Sequence, residues 1–440
     1  MPIATLGGIE PDSSQPVLIL AGALVDAAFC FETPGALLLG PRSADGRTVL
    51  AVGPVDRVRE AARGLEVPPR LVDRSGCVVV PAFVNSHCHL DLTLLGPMAA
   101  DAEGGFTTFV ERVRNGRPNS GEGIRAAVAE GIRLSLAGGV VAVGDIAGAA
   151  SGIPRLEPLR TLRASPLAGI SFIEFFAIGR GESSGLARLA ACLNDLDAAG
   201  SGPSLVRAGI SPHATNTVSI DAYRHTLGIA RSRSMPLMTH AAETAEEREF
   251  ISDGTGPHRA FLERIHLWDD SLLQSIGRGR SPIAHLAPIL ASQPMSLVHV
   301  NDADKTDIAT IAASGSSVIY CPRASSYFGA PQRFGPHPYA DLRAAGVTVA
   351  LGTDSIINLD RADRITPFDD AALLVRRDEL EPRAALGMLT ADGAAVLNLD
   401  PSGFMFSSAG TLRGCVAIAA SNPESWVGIF RSEADLELLL

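Results

Sequence analysis

Paired cysteines are missing from this chain. The six cysteines, Cys30, Cys77, Cys88, Cys192, Cys321 and Cys415, contain no C-x-x-C spacing in 440 residues. That excludes a disulfide scaffold, argues against structural zinc and fits a reducing cytoplasm. Lysine is almost missing: Lys305 is the only one among 37 basic residues. A basic excess is missing as well. With 37 basic against 48 acidic residues the formal charge is −11, so nucleic acid is not the expected partner. No basic segment opens the chain, whose first arginine is Arg42. The apolar run Val17–Ala28 is broken by Gly22 and Asp26 and is too short for a bilayer, so it reads as a strand. No other run reaches membrane length, and a soluble, cytoplasmic chain without membrane contact is expected. Disorder is excluded by a 46% hydrophobic composition and only 19% charged residues.

What is present is a rhythm. Eight apolar runs of buried-strand type recur: Val78–Asn85, Val140–Ile146, Ile170–Ile178, Leu205–Ser211, Pro236–Thr239, Met295–Val300, Ser317–Cys321 and Val347–Gly352. Helix-like stretches such as Gly123–Ala137, Ser219–Ser232, Ala303–Ala313 and Pro338–Ala345 separate them. Strands alternating with helices imply parallel units, and eight of them suggest a closed (β/α)8 TIM barrel of about 250 residues or more. Residues 1–75 read differently. Short strands at Val17–Leu20, Ala36–Leu39, Thr48–Val52 and Leu71–Val72, a turn at Ser43–Gly46 and no long helix describe part of a small β domain. The tail, 399–440, carries apolar pieces at Cys415–Ala419 and Trp426–Phe430 that complete this domain. The expectation is an α/β fold, with the barrel over 76–398 and a flanking β-sandwich formed by both termini. The Pro/Gly-rich stretch Pro331–Pro338 is expected to cover one mouth of the barrel.

Barrel chemistry sits at the C-terminal ends of the strands. Those ends carry His87-Cys88-His89, Ser211-Pro212-His213, His240 followed by Glu243, His299, Cys321-Pro322-Arg323 and Thr353-Asp354-Ser355. In an extended segment residues i and i+2 point the same way, so His87 and His89 aim together into the mouth. A third imidazole and a carboxylate make a nitrogen-rich site for one divalent ion, Zn²⁺ by preference and Fe²⁺ as the alternative. Such an ion brings bound water towards a pKa of ~7 and yields a hydroxide nucleophile. Blander readings stand beside these. Asp354 has capping chemistry, Glu243 suits a solvated first turn, and His299 and His213 suit packed cores. Tyr327 and Phe328 suit barrel-mouth packing, and Cys88 and Cys321 suit small buried residues. The histidines His225, His258, His266, His285 and His337 read as ordinary.

The segments P81-A-F-V-N-S-H-C-H-L, T239-H-A-A-E-T, L297-V-H-V and L351-G-T-D-S resemble the amidohydrolase superfamily, in its cytosine-deaminase-like and triazine-hydrolase-like branch. S211-P-H-A-T-N-T-V-S is similar to a stretch of adenosylhomocysteine and methylthioadenosine deaminases. H89-L-D-L-T and Y320-C-P-R-A-S-S-Y-F-G followed by His337-Pro338 resemble the aminodeoxyfutalosine deaminases of menaquinone biosynthesis. The resemblance implies one metal held by His87, His89, His240 and Asp354. It implies a proton-donating role for Glu243, contact of His299 with the metal-bound water or the developing alkoxide, and substrate binding by His213. Dinuclear relatives use a carboxylated lysine at the fourth strand. That strand has none here, which excludes their chemistry. Glu174, in the third run, keeps open a variant with a glutamate ligand. Zinc deaminases built on P-C-x-x-C are excluded by its absence.

The chain also departs from the family. Asp91 stands where glutamate is usual, Ala324-Ser325-Ser326 replace larger or more polar residues, and G410-T-L-R-G-C-V-A lacks the customary aspartate. Asp91, Arg323, Tyr327, Phe328 and the loop before His337 are the candidates for contacts to the substrate's ribose or side arm. The expected activity is hydrolytic deamination of a 6-aminopurine nucleoside-like small molecule, aminodeoxyfutalosine-like in the first instance, by a monomer or homodimer. Catalysis is assigned to Glu243, His299 and Asp354. The alternatives are cleavage of another C–N or a carbon–halogen bond at the same site, or a catalytically silent barrel.

Overall fold

The computed structural model describes residues 14–28, 31–100, 105–200, 202, 204–407, 409–431 and 433–439. Cys30 lies outside them. The chain forms two compact units, one of residues 1–85, 133–142 and 363–440, the other of residues 86–132 and 143–362.

The first unit begins with β1 Val17–Val25, β2 Phe31–Glu32, β3 Gly35–Ser43, β4 Gly46–Pro54 and β5 Arg70–Pro81. Alternation sorts the side chains of β1. Val17, Ile19 and Ala21 join one apolar cluster, while Leu18 and Leu20 join another with Leu38, Val58 and Ala62. Val58 and Ala62 belong to a short helix, Val55–Arg63, of nine residues. Only those two residues of the helix are buried in an otherwise charged segment, so its apolar stripe is too short to register as a period. The turn at Ser43–Gly46 is where expected and joins β3 to β4 as a hairpin.

The apolar run read as one strand over 78–85 is two. Val78–Pro81 completes β5, and β6 spans Phe83–Cys88. At the junction the Ala82 N–H donates to the Gly414 carbonyl and that of Phe83 to Gly139, both at 2.9 Å, so the chain changes pairing partner there. There follow β7 Val140–Ala147, β8 Ala168–Phe175, β9 Val206–Pro212, β10 Met238–Ala241, β11 Ser296–His299, β12 Ser317–Tyr320 and β13 Val349–Leu351. They pair in the orders β6-β7-β8-β9 and β10-β11-β12-β13. The pairs β8/β9, β10/β11, β11/β12 and β12/β13 are parallel. Parallel bridges Ile210↔Leu237 and Cys88↔Asp354 lie at the two edges. These strands are buried on both faces, which is why they read as continuous apolar runs.

Side-chain caps start several of the intervening helices. Ser219 accepts from the Ala222 N–H at the head of Ile220–Arg233, and Asp304 caps Lys305–Ser314 reciprocally with Asp307. The chain then returns to the first sheet with β14 Thr411–Leu412, β15 Cys415–Ala419 and β16 Leu436–Leu439. The sheet order is β14-β4-β3-β1-β5-β15-β16, with β2 on β1, so strands from both ends of the chain share one eight-stranded sheet. The Trp426–Phe430 piece is not a strand, since Pro423–Ile429 is a 3₁₀ segment.

Candidate active site

The polar ends of β6 and β13 are locked together by their backbones. The His87 carbonyl accepts the N–H groups of Thr353 at 3.0 Å and Asp354 at 3.1 Å, and the His89 N–H donates to the Asp354 carbonyl at 3.4 Å. Gly352 permits this approach, because a Cβ there would lie 2.8 Å from the His87 Cβ. The locking brings the Asp354 Oδ1 to 3.7 Å from the His87 Nε2 and 3.4 Å from the His89 Nε2. On the neighbouring strand end the His240 N–H donates to the His213 carbonyl at 3.0 Å, which seats the third imidazole. The ring centroids of His87 and His89 lie 5.0 Å apart, those of His87 and His240 5.0 Å, and those of His89 and His240 5.4 Å.

This cluster fits a metal ion. One ligand nitrogen from each of His87, His89 and His240 lies within 4.8 Å of the others. The His240 Nδ1 is 2.7 Å from the His213 carbonyl oxygen, which can only accept, so Nδ1 carries a proton and Nε2 is the nitrogen left to face a metal ion. The buried His87 Nε2 and His89 Nδ1 have no hydrogen-bond partner, an arrangement that costs energy unless something else takes their lone pairs or protons. Burial holds the imidazoles of His87, His89, His213 and His299 well below their ordinary pKa, the neutral form a ligand needs. Burial lifts Asp354 to about 6, against the pull of His240 and the Ser355 N–H. Two donors about 2.1 Å from one tetrahedral ion lie about 3.4 Å apart, close to the observed Asp354–imidazole separations.

Two strand ends bear backbone strain. His299 and Val300 have φ of 73° and 53°, and Asp354 has 57°, all in the left-handed region that side chains other than glycine avoid. The His299 Nε2 lies 3.5 Å from the Glu243 Oε1. Burial, reinforced by the charges of Asp354 and Glu247, raises the Glu243 carboxyl well above its usual pKa.

Glu247 and Asn301, which the sequence reading passed over, hold Glu243 in place. The Glu247 carboxylate accepts the N–H groups of Ala242 at 3.1 Å and Glu243 at 2.7 Å, together with the Thr215 hydroxyl. Asn301 donates to the Glu243 carbonyl at 3.0 Å and accepts from Ser325 at 2.6 Å. Glu247 had a signal: T244-x-x-E247 has capping-box spacing, and Thr244 caps the helix Ala245–Asp253. Asp145 was also missed. It is the last polar residue of the second run, and its carboxylate accepts the Leu90 N–H at 3.1 Å and the Ser171 hydroxyl at 3.0 Å. Arg117 had no signal.

His213 joins the cluster, its ring centroid 5.1 Å from that of His240. Its Nε2 is 3.9 Å from Glu174, and Glu174 in turn faces Arg117 at 3.7 Å and accepts the Ala149 N–H at 3.0 Å. Asp91 is 1% exposed and accepts from the Arg117 Nε at 2.7 Å. Burial opposes the Arg117 charge, but the Asp91 and Glu174 carboxylates outweigh it and raise its pKa. The other substrate-arm candidates fall in a second group. Phe328 and Tyr327 pack on Phe109 with ring centroids 4.8 Å and 6.1 Å away, and Arg323 pairs with Asp360 at 3.3 Å. His337, read as ordinary, donates to the His299 carbonyl from Nε2 at 2.7 Å.

Residues 78–403 match the amidohydrolase family, and the chain belongs to it: it is a metal-binding hydrolase acting on carbon–nitrogen bonds other than peptide bonds. It is 31% identical over 336 residues to the aminodeoxyfutalosine deaminase of Deinococcus radiodurans, covering 71% of this chain and 70% of that one. It is 28% identical over 341 residues to the 5-methylthioadenosine/S-adenosylhomocysteine deaminase of Halobacterium salinarum, covering 75% and 70%. The fold is similar to that of Helicobacter pylori aminofutalosine deaminase, solved with methylthio-coformycin. There the TM-score is 0.75 at 18% identity, over 96% of this chain and 98% of that one. Among the described residues no helix is long and apolar enough to cross a membrane.

Proposed function

We propose that this protein hydrolytically removes the exocyclic amine of a 6-aminopurine nucleoside, with an aminodeoxyfutalosine-like substrate favoured, and releases ammonia. The observation that carries the reading is the convergence of three imidazoles and Asp354 beside a partly buried Glu243 that faces His299 at 3.5 Å. The two relatives, named for deamination of adenosine-like compounds, support it. We also read the eight strands β6–β13 as one closed (β/α)8 barrel, a reading supported by the bridges at both sheet edges. The small domain would then be built from both termini around it in sequence.

His87, His89, His240 and Asp354 would hold one divalent ion. Zn²⁺ is favoured by the nitrogen-rich donor set, with Fe²⁺ the alternative. The ion supplies Lewis acidity and makes water a competent nucleophile at neutral pH. Asp354 takes a proton from the attacking water. Glu243, whose pKa burial raises, gives its proton to the ring nitrogen beside the attacked carbon, so negative charge does not accumulate on the ring. His299 stabilises the new carbon–oxygen bond electrostatically. The proton held by Asp354 then leaves with the amine as ammonia, and the hydroxyl proton of the tetrahedral carbon returns to Glu243. His213 and Asp91, on the wall formed with Glu174 and Arg117, contact the ribose or its substituent; Arg323, Tyr327 and Phe328 contact the outer arm.

The test is ammonia release by metal-loaded protein from adenosine, 5′-methylthioadenosine, S-adenosylhomocysteine and aminodeoxyfutalosine. Turnover of at least one, with aminodeoxyfutalosine best, is expected. No ammonia from any of them overturns the reading.

A further inference from the structure

We propose that His337 is a positioning residue for His299: its Nε2–H grips the His299 carbonyl and thereby holds the strained end of β11 in the conformation that faces the His299 imidazole towards Glu243. The inference rests on the catalytic reading of His299 given above.

The end of β11 is held by a strand ladder on one side only: His299 pairs with Ala241 of β10, whose carbonyl accepts the Val300 N–H at 3.0 Å. His299 is 1% exposed, and both it and Val300 are left-handed. Each such residue costs on the order of 1–3 kcal/mol and persists only where its surroundings impose it. The β11 ladder to β12 runs through Ser296, Leu297 and Val298 and stops short of His299. The carbonyl of His299 instead accepts from the His337 Nε2 at 2.7 Å. A carbonyl oxygen cannot donate, so His337 carries its proton on Nε2.

His337 is itself braced. Its ring stacks on that of Tyr320 at the end of β12, with centroids 3.7 Å apart and planes 16° from parallel. The Tyr339 ring lies 5.7 Å from that of Tyr320 and 6.1 Å from that of His337. The ring pair therefore ties the segment after Gly335 to one strand end, and the hydrogen bond ties it to the next. The downstream geometry follows: the His299 Nε2 stands 3.5 Å from Glu243, whose own backbone is pinned by Glu247 and Asn301. Glu243 is thus fixed by Glu247 and Asn301, and His299 by its pairing with Ala241 on one side and by His337 on the other. Displacement of a reacting group by about 1 Å costs up to about a hundredfold in rate.

Two substitutions separate the hydrogen bond from the packing. H337F keeps an aromatic ring against Tyr320 but cannot donate. H337Q presents an amide N–H near the place of the Nε2–H but loses the ring. If positioning is the role, H337F lowers kcat for ammonia release by about ten- to a hundredfold with KM within about twofold, and H337Q recovers most of that loss. If packing is the role, the order reverses, and the proposal fails. It fails equally if H337F matches the native rate or if both variants lose alike.

A second readout does not depend on activity. In metal-free protein labelled with ¹⁵N-histidine, the imidazole signals of His299 should move in H337F and stay near their native positions in H337Q. Unmoved signals in H337F contradict the proposal. Should the native protein release no ammonia from adenosine, 5′-methylthioadenosine, S-adenosylhomocysteine or aminodeoxyfutalosine, the functional reading fails by itself, and the spectra still decide the role of His337.

Discussion

Replacing Glu243 by glutamine isolates proton delivery from everything else the residue does. The side chain keeps its length and its hydrogen-bonding oxygen. The backbone contacts that fix it, Glu243 N–H to Glu247 and Asn301 to the Glu243 carbonyl, are untouched. What is lost is one transferable proton. Burial, with the charges of Asp354 and Glu247, raises the carboxyl well above its ordinary value, which favours the protonated form. General acid–base groups contribute about 10²–10⁴ in rate, which is roughly 3–5 kcal/mol of barrier. E243Q should therefore lose that much kcat for ammonia release while keeping its metal content and its thermal midpoint. The sign of the pH dependence follows as well. The protonated acid is the active form, so native activity falls as pH climbs past the raised pKa. That alkaline limb should vanish in E243Q. Rates within about threefold of native, or an unchanged alkaline limb, would refute the assignment of the acid.

Other outcomes follow from the same contacts. H240A should lose bound metal and activity together, checked by elemental analysis of the purified protein beside the rate. Burial and the Asp91 charge lift Asp145 to about 7, so the folded chain keeps a proton that the unfolded chain releases. Its contribution to stability should fall as pH rises from about 4 to about 7 and level off above, by an amount on the order of 4 kcal/mol. D145N, which can still accept from Leu90, should flatten that slope in denaturation midpoints measured across the range. In the first unit, Arg364 grips Asp369 at 2.6 Å and donates to the Ala434 carbonyl at 2.6 Å, all buried. D369A should cost about 3–5 kcal/mol in chemical denaturation by leaving a buried charge without its carboxylate.

Much of this was legible before any coordinates. Fully buried parallel strands write themselves as apolar runs, so seven of the eight expected runs fall on single strands. The i, i+2 spacing of His87 and His89 needed only the geometry of an extended chain. What escaped depends on contacts across the fold. Phe83–Cys88 separated from Val78–Pro81 because Ala82 meets Gly414, more than three hundred residues along the chain. Arg117 follows the helix Gly105–Gly116 with no motif, and only the fold sets it between Asp91 and Glu174. His337 was passed over because a lone histidine after a Pro/Gly-rich stretch carries no period. Its partner is a backbone carbonyl, which no side-chain pattern encodes. Asp145 was within reach, since the rule applied to the other strand ends points to it as well.

The most direct test of the central claim is a titration of metal-free protein with Zn²⁺, following ammonia release from aminodeoxyfutalosine. The account predicts no release without metal, a rise that saturates at one ion per chain, and no rise at all in H240A. Ammonia release that is indifferent to metal, or its absence at every loading, would contradict it.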